Sequence, residues 1–575
     1  MSRHARRKQG PQGPPRWRFV SVLGILLLTA AVIFLRALEL QLINTEFLRS
    51  EAEARHLRTV QMPAHRGMIV DRNGEPLAVS SPVQSAWAKP AELLGDDAAL
   101  HAVADILERS AADLHNFLQA RAEREFVYLR RHLAPDVAAQ LEELDAPGVE
   151  LQREFRRFYP AGEVAAQLVG FTDIDGRGLA GIERAFDDTL SGQEGAKRVV
   201  RDSRGRTVED VELLREPQPG EDVQLSLDRR IQYLAYRELK RAVKGHGAEG
   251  GAAVILDAVT GEVLAMVSQP SFNPHRRSGV EAVQRRNLVA GWTQEPGSVI
   301  KPFTVAAALS SGAVEPGEVF DTEPGTLQVG RHTVRDFLNY GELGVSGVLR
   351  KSSNVGAVQM ALETEPRALW KTLEDFGFGA KTRSGLAAES SGIFLPAPPR
   401  GDVQRATLSY GYGITATPLQ LARAYAALAR DGVIRPVSIE AVDEPPEGRQ
   451  ALEPALARRL RKMLVGVVEP GGTGTRAAIP GYRVGGKTGT VHKSGPSGYA
   501  EDEYIASFVG FAPASDPRLV MAVTIDEPSG EAYFGGQVAA PVFSQVMGEA
   551  LRVLNIPPDD LPERQQRAVA EGRAP

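Results

Sequence analysis

The chain contains no cysteine among its 575 residues. Disulfide scaffolds, thiolate metal sites and cysteine nucleophiles are therefore all excluded. The ten histidines form neither an HExxH pair nor a close cluster, so we expect no metal site and no cofactor. A formal net charge of −5 argues against a nucleic-acid-binding protein, because such proteins usually carry a strongly basic domain.

The remaining composition is that of an ordinary globular protein, with 43% hydrophobic and 24% charged residues. A single hydrophobic core rarely grows beyond about 250 to 300 residues. The length of the chain therefore predicts at least two domains.

One long segment, residues 19–35, contains no charged residue. As a helix it would extend about 26 Å, nearly the thickness of a hydrocarbon core, and the flanking Arg18 and Arg36 can reach the interface. We interpret residues 19–36 as a transmembrane anchor. A cleaved signal peptide is the alternative, but the apolar periodicity continues past the segment without a small-residue cleavage site.

The charge on either side of this anchor predicts its orientation. Six basic residues and no acidic residue precede residue 19. The positive-inside rule then places residues 1–18 in the cytoplasm as a short tail. We therefore expect a single-pass protein of the cytoplasmic (inner) membrane, with everything after Arg36 outside the cytoplasm.

Beyond the anchor, turn signals and composition suggest two modules. Asn73-Gly74 between two apolar runs predicts a β-hairpin, and residues 90–145 are rich in Ala, Leu and Glu, which indicates helices. We assign residues 37–220 to a non-catalytic module and residues 221–556 to a second domain. The proline-rich, acidic residues 557–575 are predicted to be disordered.

The second domain is predicted to have an α+β fold. Two strand-like runs lie within residues 251–269, and three more follow much later at 482–493, 504–513 and 518–526. Because the long insertion between them is largely helical, we expect a five-stranded antiparallel sheet flanked by helices.

Ser298 and Lys301 stand three residues apart, directly behind a Pro-Gly pair, at the start of an apolar helix. Helical spacing places the hydroxyl and the amine on one face. To accept the serine proton, the lysine must be neutral, but an ordinary lysine pKa of about 10.4 leaves almost none neutral at pH 7. Burial and a second cation can lower that pKa. The hypothesis that Lys301 accepts the proton of Ser298 therefore requires another positive group nearby.

A second segment, KSSNVG, places Ser352 and Asn354 so that a hydroxyl and an amide project together. The same pattern occurs at residues 271–273, where flanking prolines indicate a structural turn instead. Its position in the chain favours Ser352 as the companion of the serine-lysine pair.

A third segment, GGKTGT, supplies the cation that the hypothesis requires, Lys487. Thr488 and Thr490 supply hydroxyls, and Gly489 is expected to let a ligand backbone approach the strand closely. An exposed strand edge at this segment could pair with an extended substrate.

In this order, the three segments resemble the motifs of the class B penicillin-binding proteins, specifically their cell-division group of septal peptidoglycan D,D-transpeptidases. The stretches RGMIVDRNGEPLA, RRFYPAGEVAAQLVGFTD and SYGYGITATPLQLARAYA carry the same resemblance, which extends from the anchor to about residue 556. It implies an elongated pedestal of the dimerisation type at 37–220 and a transpeptidase domain related to serine β-lactamases at 221–556.

The resemblance also implies roles for the motif residues. Ser298 would attack the D-Ala-D-Ala carbonyl of a stem pentapeptide, and an amine from a neighbouring stem would resolve the acyl-enzyme into a crosslink. Lys301 is the implied base, and Ser352 the implied proton relay. The implied catalytic set is Ser298, Lys301, Ser352, Asn354 and Lys487, and the implied substrate-binding set is Thr488, Gly489, Thr490, Tyr533 and Phe534.

The implied partners are peptidoglycan stem peptides, β-lactam antibiotics, a septal lipid II polymerase of the FtsW type and additional division proteins. The same fold also serves β-lactamases, but class A enzymes carry an ExxLN glutamate after the second motif. The nearest string here, RDFLN, has Arg335 in that place and precedes Ser352. The resemblance also leaves open an elongation-type transpeptidase and a non-catalytic β-lactam sensor.

Overall fold

The computed structural model describes residues 16–39, 57–201, 207–495 and 498–561. Most of the predicted cytoplasmic tail and the end of the predicted C-terminal tail, from residue 562, lie outside the described residues. The chain divides into two compact units. The first comprises Met1–Pro63, Gln84–Gln152 and Glu194–Gln218, and the second comprises Ala64–Val83, Arg153–Gln193 and Pro219–Pro575.

The predicted anchor forms a helix, α1 (Arg16–Leu38). Its 22 residues Trp17–Leu38 include an 18-residue stretch with a mean hydropathy of 2.4, none of which is buried within the protein. Such a helix is about 33 Å long, enough to cross a hydrocarbon core. The described residues contain one helix of this kind.

The first unit contains a three-stranded antiparallel sheet, in the order Leu57–Met62, Gly195–Arg201 and Thr207–Arg215. The prediction of helices in residues 90–145 is confirmed for Pro90–Leu93, Asp97–Ile106, Ala111–Gln119 and Pro135–Leu144. It is wrong at Val127–Leu133, a strand that pairs with the end of the strand Pro76–Ala88. The sequence VYLRRHL alternates apolar and polar residues at first, which is the strand period.

The predicted hairpin at Asn73-Gly74 is confirmed in the second unit. Ile69 pairs with Ala78 across the turn, and the strand Val223–Gln224 lies parallel to Ile69–Val70. A strand at Val149–Phe158 crosses the boundary of the two units.

A buried cluster of ion pairs joins the segments around residues 66, 157 and 183 of this unit. Glu183 accepts hydrogen bonds from Arg66 Nε at 2.8 Å and from Arg157 Nε at 2.6 Å. All three side chains are buried, so removing one partner would leave an uncompensated charge.

The predicted five-stranded antiparallel sheet is confirmed. Its strands are β1 (Gly250–Asp257), β2 (Val263–Gln269), β3 (Gly485–Gly495), β4 (Gly498–Ala512) and β5 (Leu519–Asp526). They lie in the order β2-β1-β5-β4-β3. β3 is the last strand in this order, so one of its two sides is not paired with another strand in the described part of the chain.

Helices cover both faces of the sheet, as alternation along β1 requires. Ala253 and Ile255 belong to one apolar cluster with α2 (Arg229–Gly245) and α8 (Ala540–Val553). Val254 and Leu256 belong to the other cluster. That cluster includes residues of α3 (Lys301–Ser311), α4 (Val345–Lys351), α5 (Asn354–Glu363), α6 (Pro418–Ala429) and α7 (Pro454–Val468).

The start of α6 shows how sequence sets a helix boundary. The Thr417 hydroxyl accepts a hydrogen bond from the Gln420 N–H, and the Gln420 side chain accepts one from the Thr417 N–H. With Pro418 in the first turn, this capping box fixes the beginning of the helix.

The remaining elements of the second unit are short. The helices are Ala166–Val169, Gly181–Ala185, Asp187–Ser191, Ala282–Arg285, Leu288–Gly291, Pro366–Asp375, Asp402–Ser409 and Gly535–Val538, with 3₁₀ turns at Gly162–Val164, Gly297–Ile300 and Thr475–Ala477. The paired strands are Phe171–Thr172 with Gly178–Ala180, Val319–Asp321 with Glu342–Gly344, Thr326–Val329 with His332–Arg335, and Val433–Ile434 with Arg449–Gln450.

Candidate active site

Ser298 lies in the 3₁₀ turn Gly297–Ile300, which continues directly into α3. Its side chain lines a cavity of about 520 Å³. Within the described part of the chain, its hydroxyl has no hydrogen-bond partner. The hydroxyl is therefore free to meet a ligand in the cavity.

Gly297 gives this turn its conformation. Its φ is +57°, and a Cβ at this position would lie 2.1 Å from Val491 Cγ1. Its N–H donates to the Gly411 carbonyl at 3.1 Å. The residue before Ser298 therefore needs both a left-handed backbone and the absence of a side chain.

We expect Gly297→Ala to lower both stability and acylation, whereas Gly312→Ala should lower stability alone. Gly312 also has a positive φ, +73°, but no atom lies within 4 Å of its Cβ position. Backbone strain should cost each variant about 1 kcal/mol of unfolding free energy, and the clash adds to this in Gly297→Ala. Thermal unfolding and the rate of penicillin acylation measure the two effects. Equal acylation rates in the two variants would contradict this account.

Ser352 and Asn354 lie where α4 ends and α5 begins. Ser352 has a left-handed backbone, with φ of +61°, which turns its carbonyl towards α3. Lys301 Nζ donates to that carbonyl at 2.5 Å and to Asn354 Oδ1 at 2.7 Å. The structure thus brings the first two motifs together around one amine.

Lys487 comes from β3, and its side chain is fully buried, as is that of Lys301. Lys487 Nζ donates to Ser352 Oγ at 2.8 Å, and Lys301 Nζ lies 3.3 Å from the same oxygen. Neither amine lines the cavity, whereas Ser352 does. The Ser352 hydroxyl therefore lies between two buried amines and is open to the cavity.

Burial controls the protonation of both lysines. It lowers the pKa of Lys301 to about 7, although the negative charge of Asp336 acts in the opposite direction. Burial also lowers the pKa of Lys487, and the nearby charge of Lys301 lowers it further. A neutral amine at Lys301 near pH 7 is what a proton acceptor for Ser298 requires.

Asp336, which the sequence analysis did not select, organises the second motif. Its carboxylate accepts hydrogen bonds from Ser353 Oγ at 2.5 Å, from the Asn354 N–H at 2.5 Å and from the Val355 N–H at 3.0 Å. An acidic group at the beginning of α5 also interacts favourably with the helix dipole. Asp336 belongs to the string RDFLN, which lacks the deacylating glutamate of class A β-lactamases.

Replacing Asp336 by asparagine should slow acylation by about 10- to 100-fold, because a small misplacement of a catalytic group is costly. The acid limb of the pH–rate profile should also move to lower pH, since the charge of Asp336 raises the pKa of Lys301. The matched control is Asp321→Asn, because Asp321 accepts a hydrogen bond from the Glu323 N–H in an exposed turn. Stopped-flow acylation between pH 5 and 9 tests both effects. If the acid limb of the pH–rate profile does not move in Asp336→Asn, the charge of Asp336 does not raise the pKa of Lys301.

The remaining residues of the third motif lie along β3. Thr488 Oγ1 is 2.8 Å from Thr473 Oγ1, and Thr490 Oγ1 accepts a hydrogen bond from the Gly535 N–H at 3.0 Å. Both threonines line the cavity. The Cβ position of Gly489 faces Val299 Cγ1 at 3.0 Å, so the missing side chain serves the packing of β3 against the Ser298 turn. On that side the space is occupied by protein, not by a ligand.

The two predicted aromatic residues have different positions. Phe534 lines the cavity, but Tyr533 is not among the lining residues. Tyr533 stacks on Phe534 with ring centroids 4.4 Å apart, and on Tyr504 at 4.3 Å. Phe337 completes the row, 5.5 Å from Phe534, and is 75% exposed. Tyr533 therefore supports the wall of the cavity from behind.

Several lining residues were missed by the sequence analysis. They come from the loop after Arg335, the end of α4, the segment before β3 and the helix Gly535–Val538, and they are Phe337, Tyr340, Lys351, Thr473, Thr475, Arg476, Gly536 and Gln537. Apart from Lys351, the first residue of KSSNVG, none belongs to the three motif segments. An aromatic residue two positions after Arg335 was the only local signal.

Two family models match the chain. The penicillin-binding protein transpeptidase domain matches residues 251–548, and the penicillin-binding protein dimerisation domain matches residues 61–225. Together they cover the greater part of both compact units.

Curated relatives match along nearly the whole chain. Peptidoglycan D,D-transpeptidase FtsI of Escherichia coli (strain K12) is 43% identical over 552 residues, which cover 95% of this chain and 93% of that protein. A probable peptidoglycan D,D-transpeptidase, PenA, of Neisseria meningitidis serogroup B is 40% identical over 544 residues, covering 93% of each.

Solved structures give the same result. Penicillin-binding protein 3 of Mycobacterium tuberculosis, complexed with aztreonam, superimposes with a TM-score of 0.68 at 29% identity, covering 87% of this chain and 98% of that one. The transpeptidase domain of Burkholderia pseudomallei penicillin-binding protein 3 is 42% identical, with a TM-score of 0.54, and covers 59% of this chain and 98% of that one. The chain therefore belongs to the class B penicillin-binding proteins, with a dimerisation domain followed by a transpeptidase domain.

Proposed function

We propose that this protein is a peptidoglycan D,D-transpeptidase that crosslinks stem peptides at the division septum through a serine acyl-enzyme. One observation carries the proposal: the Ser352 hydroxyl lies between the buried amines of Lys301 and Lys487, in the cavity that the unpartnered Ser298 also lines. Both curated relatives described above bear the name of this activity.

In the acylation step, the Ser298 oxygen bonds to the carbonyl carbon of the penultimate D-alanine. Neutral Lys301 accepts the proton that Ser298 loses. The N–H groups of Ser298 and Thr490 are proposed to bind the resulting oxyanion. The carbon–nitrogen bond then breaks, and D-alanine leaves after its amine receives a proton through Ser352. An amine from a second stem attacks the ester, and the proton that it releases restores Ser298.

The terminal carboxylate of the donor peptide is assigned to Thr488, Thr490 and Lys487. A bound carboxylate favours the protonated form of Lys487, which burial disfavours in the free protein. Because β3 has a free edge, the peptide backbone can extend the sheet by one strand. β-Lactams would enter the same site and acylate Ser298.

The cellular assignments extend this proposal. Residues 19–36 anchor the protein in the inner membrane, with residues 1–18 in the cytoplasm because all six charges there are basic. Residues 37–220 form a pedestal that binds an FtsW-type lipid II polymerase and additional division proteins, and residues 221–556 form the catalytic domain.

The test uses the full-length protein with nascent, uncrosslinked glycan strands made by a lipid II polymerase. We expect the appearance of crosslinked stem dimers together with release of free D-alanine, both absent with Ser298→Ala. Release of D-alanine without dimers would indicate a carboxypeptidase and overturn the transpeptidase assignment. Depletion in cells should give filaments; rounded cells would favour the elongation branch.

A further inference from the structure

A second cavity, of about 420 Å³, lies in the same compact unit as the active site. It shares no lining residue with the cavity at Ser298. Its walls come from Gln167 and from three further segments, around Arg184, around Arg286 and around Leu386. Cavities of about 300 to 1,000 Å³ are the size of small-molecule sites.

The lining of this cavity is strongly basic. Three of its residues are arginines, Arg184, Arg285 and Arg286, and none is acidic. Arg285 donates to the Val280 carbonyl at 2.6 Å. Among the described residues, neither the Arg184 side chain nor the Arg286 side chain has a hydrogen-bond or ion-pair partner. Two guanidinium groups are thus available to a ligand.

Two acidic residues adjacent in sequence to the cavity lining are already engaged. The Glu183 carboxylate is buried and paired with Arg66 and Arg157. Glu389, which follows the third wall segment, accepts hydrogen bonds from the Thr382 N–H and from Ser384. Neither carboxylate is free to neutralise the arginines.

The cavity is also held in shape by its own residues. The Gln167 side chain donates to the carbonyls of Pro270 and Gln284, at 3.0 Å each. The Asn287 side chain caps the helix Leu288–Gly291 by accepting from the Val289 N–H at 3.0 Å. These hydrogen bonds hold Gln167 and Asn287 in the cavity wall in place, which reduces the entropic cost of binding.

We propose that this cavity binds a short peptide that carries carboxylates, a stem peptide of the wall polymer, at a place separate from Ser298. Guanidinium groups match carboxylates in two-point geometry, and Leu179 and Leu386 in the lining can contact alanine methyl groups. The inference rests on the proposed function, because stems that have lost D-alanine end in carboxylates. An inorganic anion would leave most of the volume unfilled.

The experiment uses the full-length protein after acylation of Ser298 with benzylpenicillin, so that the active-site cavity is occupied. The probe is a stem tripeptide that lacks the D-Ala-D-Ala end and bears a diazirine and two free carboxylates. After irradiation, peptide mapping should place adducts in residues 179–184, 285–291 and 386–388. The yield should fall at least about tenfold in Arg184→Gln/Arg286→Gln, since charge-assisted hydrogen bonds are lost.

The matched control is Arg367→Gln/Arg459→Gln, which removes two exposed arginines from outside the cavity and should leave the yield unchanged. Equal labelling of the cavity double variant and the wild type would overturn the proposal, as would equal labelling by the amidated tripeptide. Suppression by inorganic phosphate but not by acetate would show a phosphate site instead and also overturn it. Benzylpenicillin acylation is measured separately, so its failure counts against the proposed function alone.

Discussion

Replacing Ser298 by alanine is expected to abolish covalent labelling by a fluorescent penicillin and to reduce crosslinking by at least about 10⁵-fold, as removal of a serine nucleophile does. The hydroxyl lies in a cavity with no protein partner among the described residues, so the variant loses the nucleophile without disturbing a hydrogen bond. The Tm should therefore remain close to that of the wild type. Gel fluorescence followed by peptide mapping measures the labelling.

The control for this variant is Ser311→Ala, at the far end of α3, where the hydroxyl donates to the Ala308 carbonyl at 3.1 Å. It should be labelled at the wild-type rate. An adduct in the wild type on any residue except Ser298 would contradict the mechanism, even if Ser298→Ala were inactive.

Lys301→Arg is expected to slow acylation by about 10³- to 10⁴-fold, the upper range for loss of a general base. Arginine keeps a positive charge and hydrogen-bond donors, but its pKa above about 12 prevents it from accepting the Ser298 proton. In the wild type, the pKa of about 7 for Lys301 places the acid limb of the acylation profile near neutral pH. Below that pH the amine is protonated, so the rate should fall about tenfold per unit.

Lys371→Arg is the matched control, because Lys371 is exposed and pairs with Glu374 at 3.2 Å. Since the Lys301 site is fully buried, thermal unfolding should accompany the kinetics. Rapid acylation by a folded Lys301→Arg protein would show that a different residue accepts the Ser298 proton. An acid limb that stays near pH 7 in this variant would show the same.

The fold followed largely from local patterns. The apolar anchor, the hairpin at Asn73-Gly74 and the five strands of the main sheet were all predicted, because each depends on neighbouring residues. The strand Val127–Leu133 was missed, since its basic and aromatic positions fit a helix in a region rich in Ala, Leu and Glu. Its pairing with Pro76–Ala88 stabilises the extended form.

The candidate site was predicted only in part. The serine, lysine and asparagine motifs have characteristic spacing, so their residues could be selected before any coordinates. Asp336, Phe337 and Arg476 reach the site from loops without a motif. Their participation depends on loop paths, which distant packing sets.

The sequence by itself determined the order of the motifs, the anchor and the alternation that makes the sheet, because these follow from covalent neighbours and from helix and strand periods. Only the tertiary structure decided the protonation of the site. It buries Lys301 and Lys487 around the Ser352 hydroxyl, and a lysine pKa falls only where packing removes water from the amine. The same holds for the basic cavity at Arg184 and Arg286, which Gln167 and three further segments form together.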